Sequence, residues 1–85
     1  MLHKYKKTAL IEAEQFNGSD EMVKKYSVVD MTNVTSVPLH GPRWFLPTKE
    51  GTMELYENDW IATGIDGEHW VIANDIFHKT YERCD

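Results

Sequence analysis

The dipeptide Asp66-Gly67 does most to fix what this chain can fold into. It lies between two runs that read as strands, Trp60–Thr63 and Glu68–Ala73. A tight hairpin turn needs positive φ, which glycine adopts without a steric penalty. The two strands therefore pair antiparallel. Further turn signals fall at Asn17-Gly18, Lys49-Glu50-Gly51 and Glu57-Asn58-Asp59, so the segments between them are short.

Alternation of apolar and polar residues identifies more strands. Thr8 to Phe16 reads as one, with Ala9, Ile11 and Ala13 on one side and Glu12 and Glu14 on the other, solvated side. Met53 and Leu55 alternate with Glu54 and Tyr56 in a half-buried strand. Val28–Met31 and Arg43–Leu46 are brief strands, and Tyr81–Arg83 closes as an edge strand. Thr32 to Pro47 otherwise reads as a loop, because it holds Pro38, Gly41, Pro42 and Pro47.

One short helix is expected over Asp20–Tyr26. Ser19 offers a hydroxyl to an orphan backbone N–H, acids open the helix, and Lys24 and Lys25 close it. Met22, Val23 and Tyr26 form its packing stripe. Asn74 or Asp75 can cap one more helical turn, with Ile76, Phe77 and Thr80 facing inward. Five or six short strands and one short helix define an α+β class: a small antiparallel β-sheet or a partly open barrel. At 85 residues the chain fits a single domain spanning 1–85.

Charge and composition exclude several function classes. The net charge is −5, from 14 acidic and 9 basic residues. A binder of long nucleic acid needs a broad basic surface to displace counterions. Cys84 is the only cysteine, so no disulfide forms within the chain, and a reducing cytoplasmic setting fits. The basic start Met1–Lys7 is not followed by the apolar run of a signal peptide, and no stretch is long enough to span a bilayer.

His3, His40, His69 and His78 lack metal-site spacing, so no metal is expected. Ser19, Ser27 and Ser36 carry no nucleophile motif, and glycine-rich phosphate loops are absent. The reading is of a non-enzyme without a cofactor.

Aromatic and basic residues carry the positive signal. Ten of the 85 residues are Phe, Trp or Tyr. Trp60 and Trp70 are expected in the core. Trp44 follows Arg43 in the Pro/Gly-rich segment, where a ring can stack on a planar ligand while a guanidinium holds a phosphate. Lys4, Lys6 and Lys7 hold a third of the basic side chains and flank Tyr5. The expected anion site combines Lys4, Tyr5 and Lys7 with Gln15, Arg43, Trp44 and Tyr56. In a symmetric homo-oligomer the arm of one copy would meet Arg43 and Trp44 of another.

The run Gly51-Thr52-Met53, Asn58-Asp59-Trp60-Ile61, Gly64-Ile65-Asp66-Gly67-Glu68-His69-Trp70, Asp75-Ile76-Phe77 and Thr80-Tyr81-Glu82 resembles a small phage and prophage family. That family carries a Pro-Gly-Asp-Tyr/Trp turn, then Gly-x-x-Gly-Glu, then Asp-Ile-Phe-x-x-Thr-Tyr-Glu. Lys4-Tyr5-x-Lys7 and Ile11-Glu12-Ala13-x-Gln15-Phe16 are similar to its opening. The resemblance covers roughly two thirds of the chain and leaves out residues 27–48. Glu57 and Asn58 stand where the family has Pro and Gly, Val71 and Asn74 where it has Pro, and Ala73 where it commonly has Lys.

The resemblance implies a phage accessory protein in the cytoplasm of an infected bacterial cell. The function expected there is counter-defence by binding and sequestering a small anionic, nucleotide-type immune signal. One alternative is an acidic inhibitor directed at a host defence enzyme or nuclease. Another is an accessory protein without a ligand.

Overall fold

The computed structural model describes residues 1–6, 10–31 and 43–84. Six strands and two helices appear among them: β1 (Glu12–Gln15), α1 (Asp20–Lys25), β2 (Val29–Asp30), β3 (Trp44–Thr48), β4 (Gly51–Leu55), β5 (Trp60–Thr63), β6 (His69–Ile72) and α2 (Asn74–Thr80). The strands form two antiparallel three-stranded sheets, ordered β1-β5-β6 and β2-β3-β4. The α+β class holds, as two small sheets without barrel closure. Thr8, Ala9, Pro38, Gly41 and Pro42, on which some expectations rested, lie outside the described residues.

The β5–β6 hairpin has a three-residue loop. Gly67 N donates to Gly64 O at 3.0 Å, and Gly64 N donates to Glu68 O at 2.9 Å. Gly67 has φ +79°, so the loop is a turn followed by a left-handed bulge residue. In the β4–β5 turn, closed by Asp59 N donating to Tyr56 O at 3.1 Å, Asn58 is the third residue and has φ +80°. Asparagine tolerates that region, so the turn forms without a glycine.

Phe16 stitches this turn to β1. Its N–H donates to Asp59 O at 2.7 Å, and its carbonyl accepts from Asn58 N at 2.9 Å. Its fully buried ring joins Leu46 and Leu55 of one sheet, Ile61 of the other, and Met22 and Val28 from α1 and its exit. One core therefore binds both sheets. Ser19 caps α1 as expected: its Oγ accepts from Met22 N at 3.2 Å. The Met22, Val23 and Tyr26 stripe packs inward.

Two local expectations fail. The second helix is longer than one turn, and Asn74 does not cap it; Ala73 holds that position without a side-chain bond. The asparagine carbonyl is engaged elsewhere, as described below. Ile76 and Thr80 are exposed, because the face meeting the sheet is Asn74, Phe77 and Tyr81 at i, i+3, i+7. Residues 81–83 are not a strand; Tyr81 is extended, but no ladder pairing forms there among the described residues.

Candidate functional site

Trp44 does not occupy an exposed loop. It opens β3, which pairs on one side with β2 and on the other with β4. The brief strand expected at Arg43–Leu46 is thus found, and pairing on both edges makes it the central strand of its sheet. Trp44 shares a face with Leu46 and Leu55, and its ring meets Phe16 edge-on at 5.3 Å. Gly18 fits beneath it; a Cβ there would lie 3.3 Å from the indole. The indole Nε1 is buried without an acceptor among the described residues. Trp44 therefore packs on the core instead of presenting a stacking face.

The other expected residues are dispersed. Lys4 and Tyr5 project into solvent, with Tyr5 91% exposed, and Lys7 lies outside the described residues. Tyr56 is 46% exposed beside the β4–β5 turn, where its N–H donates to Asp59 Oδ2 at 3.0 Å. Arg43 is half-buried at the start of β3, and its carbonyl accepts from Met31 N at 2.7 Å. Gln15 reaches the same turn as Tyr56. Its Nε2 donates to Asn58 O at 3.1 Å and to Asn74 Oδ1 at 3.3 Å.

Gln15 leads to the feature that sequence reasoning missed. Asn74 Oδ1 also accepts from the indole Nε1 of Trp60 at 2.9 Å. This pins α2 against the outer face of the β1-β5-β6 sheet. Trp60 then stacks on Phe77, with centroids 4.0 Å apart and planes 6° apart. Phe77 stacks in turn on Tyr81 at 5.3 Å and 19°. The three rings wall a groove of about 740 Å³, completed by Leu10, Ile11 and Ala13. Its margin carries Glu12, Glu82 and Arg83. The i, i+4 spacing of Phe77 and Tyr81 is the sequence signal for such a wall.

A second, polar groove of about 430 Å³ lies on the opposite face, between β1 and α1. Lys25 Nζ donates to Glu14 Oε1 at 2.6 Å, and the Tyr26 hydroxyl donates to the same oxygen. These two bonds, Lys25's first, hold the Glu14 carboxyl below the usual carboxylate range. Burial, and then the Glu14 carboxylate, push the Tyr26 phenol up, so it keeps its proton and donates. The bond to Glu14 likewise raises Lys25. Thr63 Oγ1 and His69 Nδ1 lie 2.9 Å apart, and Tyr26 meets the imidazole edge-on at 5.1 Å. Glu14 is thus tied to α1 instead of lying on a freely solvated face.

This cluster gives stability a defined acid limb. A carboxylate with a depressed folded pKa stabilises above its ordinary value, near 4.5, and loses that effect as pH falls through the folded value. Asp59 acts in the opposite sense: burial raises it, against the Tyr56 hydrogen bond and with the help of Asp75. Its contribution is lost as pH rises. Comparing wild type with Glu14→Gln removes the common Asp59 effect. Urea unfolding should show the two proteins furthest apart near neutrality and converging below pH 4. A gap that stays constant with pH would refute the assignment.

Together these observations define the class: a two-sheet α+β fold with an aromatic groove on one face and an ion-paired groove on the other. No family model, curated protein or solved structure matches the chain. Among the described residues no helix is long and apolar enough to cross a membrane.

Proposed function

We propose that this chain is a small non-enzymatic binding module of the phage counter-defence kind, which sequesters a small anionic, nucleotide-type ligand. The observation that carries the reading is the groove walled by Trp60, Phe77 and Tyr81. Its volume lies within the range of small-molecule sites, about 300–1,000 Å³. Stacking a base on an aromatic ring contributes about 1–3 kcal/mol and tolerates any base identity. Arg83 stands at the margin, and in sequence the arm bearing Lys4 and Lys6 precedes Leu10 and Ile11, which line the groove. Arg83 and the arm's lysines supply positive charge beside Glu12 and Glu82, and such local cations are compatible with a net negative protein.

Isothermal titration against cyclic dinucleotides, cyclic trinucleotides and cyclic ADP-ribose isomers tests this. At least one should bind with a Kd under about 10 μM, near −7 kcal/mol. Tyr81→Ala, which trims the outer ring of the stack, should weaken that binding about tenfold, or about 1.4 kcal/mol. Silence across the whole panel at high protein concentration would remove the nucleotide reading.

A further inference from the structure

The groove and the N-terminal arm are complementary surfaces that a single chain leaves apart. Residues 1–6 are all exposed, and Met1, Leu2 and Tyr5 place their apolar area almost wholly in water. Lys4 and Lys6 flank Tyr5 and make the arm basic. The groove offers the reverse. Its interior is apolar and aromatic, and two exposed carboxylates, Glu12 and Glu82, stand at its margin beside Arg83. The arm is not laid in its own groove, although Leu10, four residues after Lys6, lines it.

We infer that the N-terminal arm of a second copy docks in this groove, so that two chains exchange arms about a two-fold axis. In such an isologous contact each copy gives an arm and receives one, which leaves no unmatched surface. Tyr5 and Leu2 enter the apolar channel, while Lys4 and Lys6 meet Glu12 and Glu82. Charge complementarity favours the arm, since Lys4 and Lys6 meet two carboxylates against one guanidinium. The interior of each groove is then covered by residues of the other chain. Arm and nucleotide contend for the same channel, so the assembly is tested without nucleotide, apart from the titration above.

The test is sedimentation equilibrium of the full chain from about 1 to 100 μM, compared with two charge-reversed variants. Lys4→Glu with Lys6→Glu reverses the arm, and Glu12→Lys with Glu82→Lys reverses the groove. The wild type should be dimeric within this range. Each variant should dissociate at least tenfold more readily, and an equimolar mixture of the two should regain dimer mass. The arm variant lies outside the packed body, so its effect is not a folding defect. A wild type monomeric throughout, a dimer insensitive to both reversals, or a mixture that stays monomeric would each overturn the inference.

Discussion

Phe16→Ala should lower the unfolding free energy by about 3–5 kcal/mol, the range for deleting a buried aromatic side chain. A chain of this length has about 4–13 kcal/mol in total at the usual per-residue stability. The variant should therefore be partly unfolded at 25 °C, or melt far below wild type. The size follows from position. Phe16 is fully buried, and its ring is where Leu46 and Leu55 of one sheet meet Ile61 of the other. Trp44 leans on it edge-on, so its loss also loosens β3. Its backbone holds the β4–β5 turn, which the mutation leaves in place. Phe16→Leu should fall between the two. Urea unfolding with matched m-values gives the numbers, and a Phe16→Ala loss below about 1 kcal/mol would contradict the single shared core.

Trp60→Ala should cost about 3 kcal/mol, the lower end of the same range, because the indole is only half-buried. Three effects combine: the hydrogen bond to Asn74, the stack on Phe77, and the apolar area covering β5. Trp60→Phe separates them. It keeps a ring against Phe77 and removes the N–H donor, at about 1 kcal/mol for a typical net hydrogen bond. Asn74 Oδ1 would still accept from Gln15, so no buried carbonyl is stranded. Denaturation curves for both variants, with near-ultraviolet circular dichroism reporting the ring environment, check the partition. Equal losses in the two variants would mean that the hydrogen bond, not the stack, holds α2.

Much of the fold was legible in local chemistry. The Ser19 cap, the hairpin glycine at position 67 and the Met53–Glu54–Leu55 alternation each depend on neighbours in sequence, and each is found. Trp44 falls in the strand expected at Arg43–Leu46, but its stacking role was misread, because what its ring meets is decided by pairing with β4 and by Phe16. Nor is Glu14 placed by its strand alone; its partners Lys25 and Tyr26 lie on a helix that packs over that face. The aromatic wall was hidden for a similar reason. Trp60 and Phe77 are 17 residues apart, and only the reversal of α2 stacks them.

The second helix buries no residue completely. Among the described residues the Phe77 stack and the His78 edge contact on Trp60, the Asn74 bonds and the chain link to β6 attach it, whereas the two sheets share a continuous core. Such a segment can detach without global unfolding. Phe77 and Tyr81 would then leave the groove together, while Trp60 stays with β5. For the ligand proposed above, selectivity would be set by the energy that keeps α2 docked more than by the size of the opening.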